Sequence, residues 1–195
     1  MTTANDVLEF WFAPESRPDQ YHPDGRDLKA WFAPDRAFDD TIREQFLDTL
    51  ESAARGDLDG WMNSPEGALA LVVVLDQFPR NMFRGQPRAF ATDGRAMAVA
   101  EEAIARGFDQ RMPGVWRKFF YLPFEHAEDR EAQARSVALF RTVNDPTGQH
   151  YAELHREIID RFGRFPHRNA ILGRESTPEE AAWLAGGGET FGTKG

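Results

Sequence analysis

Two stretches of the chain set charged and amide side chains at the end of an apolar run. The first is Leu75-Asp76-Gln77-Phe78-Pro79-Arg80-Asn81-Met82-Phe83-Arg84-Gly85. Further along, Phe162-Gly163-Arg164-Phe165-Pro166-His167-Arg168-Asn169-Ala170-Ile171-Leu172-Gly173 repeats the order Phe-Pro, basic residues, Asn, apolar residues, Gly. Guanidinium forks at Arg80, Arg164 and Arg168 lie beside Asn81, Asn169 and His167. Such groups hold a carboxylate or phosphate through paired N–H donors. Asp76 falls near the end of the apolar run, where a helix presents partial negative charge, so a buried carboxylate there requires a cation. Arg80 is one source, and Arg164 or Arg168 is another if the two stretches meet in space.

Acid–base chemistry has its own candidates. His155 shares a helical stripe with Tyr151, Leu154, Ile158, Ile159 and Phe162 and so faces inward. His126 and Glu128 stand in Glu125-His126-Ala127-Glu128, just after the break at Pro123. In a hydrolase-type site His126 or His155 would serve as general base, Asp76 or Glu128 would orient it, and Arg80 with Arg168 would stabilise an oxyanion. The same imidazoles and carboxylates are of a type that binds divalent metal, but no His-Glu-x-x-His run or second matching segment accompanies them, so no metal site is predicted. No Gly-x-Ser-x-Gly, phosphate-loop or dinucleotide pattern occurs, and the residues specify no cofactor. A plainer reading makes both junctions structural clasps, with the arginines paired to the chain's surplus of acids.

Composition narrows the setting. The 195 residues carry a formal charge of −9, with a pI near 5.1, which excludes a general nucleic-acid or anionic-membrane surface as partner. Sixteen Phe and five Trp supply enough apolar surface to fold despite a mean hydropathy of −0.57. There is no cysteine, hence no disulfide, thiol nucleophile or Cys-based zinc site. Met1 to Phe12 lacks the basic region and cleavage site of a signal peptide, and no apolar run approaches the roughly 20 residues of a membrane span, so a cytoplasmic protein is expected.

The elements that must position these groups read as helices throughout. Asn5-Asp6 caps an aromatic first helix that stops before Pro14. Glu15 to Arg26 reads as a surface loop, and Leu28-Trp31-Phe32 as a segment that folds back on the core. Phe38, Ile42, Phe46, Leu50 and Ala54 step by four from Asp35 to Arg55-Gly56. Ser64-Pro65-Glu66 opens a helix that is apolar on nearly every side and ends at Phe78-Pro79. Thr92-Asp93 caps a small-residue helix to Gly107, and Pro113 starts another that is broken at Pro123. Further helices span 130–143 and 148–162, and Ser176-Thr177-Pro178-Glu179-Glu180 opens the last. The expected fold is all-α, roughly seven or eight helices in antiparallel hairpins, with 35–55 beside 65–78, 93–106 beside 113–122 and 130–143 beside 148–162. Hairpins at this spacing match the geometry of a tetratricopeptide-like stack, though that repeat's consensus is absent. Residues 1–185 form one domain in this reading, and 186–195, after Gly186-Gly187-Gly188, a mobile tail.

With these residues in view, the chain closely resembles an uncharacterised bacterial family, domain of unknown function 924. The likeness rests on 75–85, on Ala89-Phe90-Ala91-Thr92-Asp93, on Phe120-Tyr121-Leu122-Pro123-Phe124 with 125–128, and on 162–169 with Leu172-Gly173-Arg174. It runs from Val7 to Trp183. It implies an all-α, tetratricopeptide-like fold and carries no activity with it. The family's motif positions coincide with Asp76, Arg80, Asn81, His126, Glu128, His155, His167, Arg168 and Asn169. At Glu125 the chain departs from a family that more often has an apolar residue, so the resemblance implies no role for Glu125. The expected function is a binding module whose pocket takes a peptide or small anionic ligand on Arg80, Asn81, Arg164, His167, Arg168 and Asn169. The hydrolase-type site and the structural clasp stand as the alternatives.

Overall fold

Ser64 opens the segment on which the others pack. Its hydroxyl accepts the Gly67 amide and Pro65 occupies the first turn, where a missing N–H costs nothing. The computed structural model describes residues 2–12, 31 and 34–192. In it Gly67 to Pro79 are buried without interruption, so a helix apolar all round lies at the centre, as the sequence requires.

This segment does not end at Pro79. Helix α3 (Pro65–Val72) widens into a π-helical turn over Val73–Gln77 and runs on as α4 (Phe78–Met82). Proline has no amide to donate, and its ring crowds the carbonyl four residues back. The wide turn, in which the Phe78 amide reaches the Val73 carbonyl, relieves that crowding. It also exposes backbone acceptors. The Leu75 carbonyl takes the Thr92 hydroxyl at 2.6 Å and the Asp76 carbonyl takes Arg80 Nη1 at 2.7 Å.

Helix α1 (Ala4–Phe12) buries Val7, Leu8, Trp11 and Phe12 and packs on α3. The Trp31 indole donates to the Trp11 carbonyl at 2.9 Å. The loop expected over Glu15–Arg26, and the rest of the Leu28–Phe32 segment, lie outside the described residues. Helix α2 (Arg36–Arg55) starts on the Asp35 carboxylate and stops at Gly56, whose φ of 91° only glycine adopts without strain. Its stripe Phe38, Ile42, Phe46, Leu50 ends on Ala53 rather than on Ala54, and it packs on the π turn and α4. The expected pairing of 35–55 with 65–78 is thus made by the second half of that segment, while α3 faces α1 and α5 (Asp93–Ala105). Ala96, Ala100 and Ala103 allow α5 that close approach.

The helix expected from Pro113 to Leu122 is instead three short pieces: α6 (Gly114–Arg117), a 3-10 turn (Lys118–Phe120) and α7 (Leu122–Glu125). Lys118 to Glu125 are all buried. A stretch enclosed on all sides has no single apolar stripe to hold it as one helix, and Pro123 removes an amide. The turn and α7 still face α5. Helices α8 (Arg130–Phe140) and α9 (Pro146–Phe162) form the third expected hairpin, and α10 (Pro178–Ala185) begins in the predicted capping box of Thr177 and Glu180. Among the described residues there is no strand, so the fold is all-α, and no helix is long and apolar enough to cross a membrane.

Gly67 gives a direct test of the central packing, because a Cβ there would lie 2.1 Å from the Trp61 carbonyl oxygen. Gly67→Ala is expected to destabilise the protein by about 1–3 kcal/mol in urea unfolding, the scale of overpacking against fixed backbone, although alanine is the better helix former.

Candidate functional site

The π turn carries Asp76 and Gln77 into the interior side by side. The Asp76 carboxylate accepts Gln77 Nε2 at 2.6 Å, lies 3.2 Å from Arg80 Nη1, and contacts His126 Nδ1 at 2.9 and 3.0 Å. Burial pushes this carboxyl up. The charge of Arg80 and the hydrogen bonds from His126 and Gln77 outweigh it and hold the carboxyl well below the usual carboxylate range. The cation that Asp76 needs therefore comes from its own stretch. Arg80 is pinned in turn by Asp93, which accepts from Nη1 at 2.8 Å and Nη2 at 3.0 Å. For this reason Thr92 and Asp93 do not cap α5 with their side chains, as the sequence predicts. The hydroxyl is spent on Leu75 and the carboxylate on Arg80.

His126 is held neutral chiefly by burial and by the nearby Arg80, against the pull of Asp76. Because a carboxylate can only accept, Nδ1 carries the proton, and Nε2 is left with a lone pair. His155 is fixed likewise: its Nδ1 donates to the Tyr151 carbonyl at 2.8 Å, and burial, then the neighbouring His126, keeps it neutral. The two rings lie 6.3 Å apart. Glu125 Oε1 is 3.4 Å from His155 Nδ1, while its buried Oε2 has no hydrogen-bond partner among the described residues. Burial first, and the Asp76 charge second, raise Glu125 to about 8, against the opposing pull of Lys118. At neutral pH it is a carboxylic acid and hence a donor.

These groups border a cavity of about 470 Å³. Its polar wall includes Arg80, Asn81, Glu125, His126, His155 and Arg168. The apolar wall includes Phe90, Phe140 and Phe191, and His167 and Lys118 also face it. Such a volume suits a small molecule. Phe191 arrives from the segment after α10, its ring 3.6 Å from that of His155 and nearly parallel to it. The stretch expected to be a mobile tail thus supplies part of the wall as far as Gly192, and 193–195 lie outside the described residues.

Arg168 joins the second Phe-Pro stretch to the first. Its Nη1 donates to the His126 carbonyl at 2.9 Å, and its guanidinium lies over the rings of Phe90 (4.8 Å) and Phe165 (4.4 Å). Among the described residues its carboxylate partner, Asp93, is 3.9 Å away, beyond hydrogen-bond reach. The buried Nε has no partner among the described residues. Burial and the like charge of Arg80 lower Arg168 to about 10, so it stays charged at neutral pH. His167, brought down to about 3 by burial and then by Arg168, is a neutral imidazole whose Nδ1 has no hydrogen-bond partner among the described residues.

The remaining candidates stand apart as clasps. Arg164 grips Glu180 with bonds of 2.7 and 2.8 Å, and Asn169 donates to Ser176 and Glu180. Glu128 accepts two bonds from Arg174, at 2.6 and 2.8 Å, and the Phe165 amide at 2.8 Å, so it orients neither histidine. The first stretch has a counterpart: Asn81 and Arg84 both close on Asp39. Of the residues expected to bind ligand, Arg80, Asn81, His167 and Arg168 border the cavity, and Arg164 and Asn169 do not. Of the catalytic candidates, Asp76, His126 and His155 are brought together, and Glu128 is not. No group of three or more His, Asp or Glu among the described residues is placed to hold a metal ion.

Sequence reasoning passed over Lys118, Asp93 and Phe191. A lysine inside Trp116-Arg117-Lys118-Phe119-Phe120 was the signal for the first, since a cation enclosed by aromatic residues needs a partner. It has one in Asp145 at 3.4 Å, and it lies over the Trp31 ring. Nothing local marks Phe191.

A profile described as bacterial protein of unknown function (DUF924) matches residues 7–188. A solved structure of a protein of unknown function from Agrobacterium tumefaciens is similar over 93% of this chain and 96% of its own, with 48% identity and a TM-score of 0.83. No curated protein matches.

Glu125 fixes the sign of a pH effect. Its folded pKa lies above the ordinary carboxylate value, so the folded state binds the extra proton, and stability is lost as pH rises from about 4.5 through about 8. Glu125→Gln is expected to be the more stable protein at pH 8 and to flatten this part of the stability profile, measured by urea unfolding at pH 5, 6.5 and 8.

Proposed function

We propose that this chain, which belongs to the DUF924 family of bacterial proteins, binds a small ligand bearing a carboxylate or phosphate, with Arg168 as the anchor for the anion. The observation that carries this reading is a charged guanidinium, 6% exposed, on the cavity wall, whose Nε has no hydrogen-bond partner among the described residues. A buried donor left without a partner costs about 1–3 kcal/mol, and a ligand that satisfies it recovers that energy. Asn81 and Arg80 border the same space, but their hydrogen bonds are largely spent on Asp39, Asp76 and Asp93, so they brace the wall and contribute field. The neutral Glu125 adds a donor suited to an anionic acceptor. Phe90 and Phe191 give the ligand's carbon skeleton an apolar surface.

A cavity of about 470 Å³ favours a small molecule over an extended peptide laid along a helical stack. The clasp reading fits the outer pairs, Arg164 with Glu180 and Arg174 with Glu128, which fasten the second stretch around the cavity. Within this reading the helices form one domain, the hairpins are tetratricopeptide-like, and the protein works in the cytoplasm. The hydrolase alternative is favoured by one particular contact, Asp76 to His126 Nδ1, which leaves the opposite ring nitrogen as a base.

Inorganic phosphate and succinate are the test ligands. At a hundredfold excess over Kd, whichever binds should raise Tm by roughly 5–10 °C for a protein of this size. Arg168→Gln, folded by circular dichroism, should lose that rise, whereas Arg164→Gln should lower the starting Tm and keep it. An Arg168→Gln protein that responds like the unaltered one contradicts the assignment.

A further inference from the structure

Two features of the site are not used by ligand capture alone: a carboxylate–imidazole pair and a second cation at Lys118. The pair is built with more support than a clasp requires. Asp76 is held by Gln77 and Arg80 so that its oxygens meet His126 Nδ1 at 2.9 and 3.0 Å, and the His126 carbonyl is held by Arg168. This fixes the ring's tautomer and places it on the cavity wall with Nε2 as its basic atom. Among the described residues no hydroxyl hydrogen-bonds to His126 or His155, and the chain has no cysteine, so the nucleophile that such a base would activate is water. Glu125, whose Oε2 has no hydrogen-bond partner among the described residues, borders the same cavity as a proton donor.

We infer that this cavity hydrolyses a small carboxylic ester that also carries a free carboxylate, with His126 as general base and Glu125 as general acid. The inference rests on the proposed anion site, since Arg168 holds the free carboxylate and so places the ester near the imidazole. His126 Nε2 takes a proton from water as the water oxygen bonds to the ester carbonyl carbon. The carbonyl electron pair moves onto its oxygen, towards the Lys118 ammonium. The tetrahedral adduct then collapses, the C–O bond to the alcohol breaks, and the departing oxygen takes the Glu125 proton. The proton on His126 returns to the Glu125 carboxylate through solvent, so water and ester are consumed and acid and alcohol are formed. Asp76 touches no reacting atom. It is a positioning residue that keeps Nδ1 protonated and stabilises the charge that forms on the ring.

The charged and titratable groups around the two catalytic atoms set the pH profile. His126 faces Asp76, Arg80, Arg168 and His155, and Glu125 faces His155, Lys118, Asp76 and Asp145. Activity needs His126 neutral and Glu125 protonated, so it is lost on the acid side by protonation of His126 and on the alkaline side near pH 8.

Monomethyl succinate is the probe, followed by proton NMR as methanol is released at pH 7, with thermal shift by succinate run in parallel. The unaltered protein should hydrolyse it in proportion to enzyme concentration. His126→Gln should lose on the order of 10²–10⁴-fold in kcat while keeping the succinate shift. Glu125→Gln should lose activity together with the alkaline limb, and Asp76→Asn should lower kcat and move the acid limb to lower pH. No hydrolysis by the unaltered protein, with the succinate shift present, overturns the catalytic inference and leaves the binding site standing. Neither hydrolysis nor shift overturns both. A folded His126→Gln protein as active as the original also overturns it.

Discussion

Everything around the cavity depends on keeping one ionised carboxylate, that of Asp76, inside the protein. An isolated buried charge of this kind is too costly to persist, and it survives only where opposite charge and hydrogen bonds surround it. Here Arg80, Gln77 and His126 supply them within 3.2 Å. Each partner then needs support of its own. Arg80 is fixed by Asp93 at the start of α5, and His126 is fixed through its carbonyl by Arg168, beyond α9. One buried charge thereby ties together segments far apart in sequence, and it sets the tautomer of the imidazole that faces the cavity.

The backbone is part of the same arrangement. Pro79 forces a wide turn in the central helix, and that turn places Asp76 and Gln77 where a regular helix would have rotated them elsewhere. The carbonyl groups it exposes are met by Thr92 and Arg80, so the strand of contacts from α3 to α5 serves both the helix and the site. The outer pairs, Asn81 and Arg84 on Asp39, and Arg164 on Glu180, have a different character. Each is a two-point ion pair or carboxylate–amide contact, and they hold the walls in place.

Much of this was legible in the sequence because it follows from local rules. Ser64-Pro65, Asp35 with Gly56, and Thr177 with Glu180 marked helix ends through side-chain oxygens and a positive φ. The demand of Asp76 for a cation followed from its burial, and Arg80, His126 and Arg168 were all named. What escaped notice was decided by tertiary contact. Pro79 reads as a stop, yet helix packing on both sides carries the chain through it. Glu128 and Asn169 look like site residues by type, but each is taken up by a partner, Arg174 or Glu180, that only the folded chain reveals. Glu125 lies where the family pattern gives no cue, and Phe191 reaches His155 across a gap no periodicity describes. The likeness to the Agrobacterium tumefaciens structure, at 48% identity, belongs to the fold and leaves the chemistry to be argued from these contacts.

The central claim is that the buried Asp76 carboxylate fixes the proton of His126 on Nδ1, while burial and Arg80 keep the ring neutral against the pull of that charge, so that Nε2 carries the lone pair. Nitrogen-15 NMR of the histidine ring, recorded at pH 7 and assigned with His126→Gln, measures this directly. The account predicts one pyrrole-type resonance at Nδ1 and one pyridine-type resonance at Nε2. A proton on Nε2, or a doubly protonated ring at that pH, would contradict it.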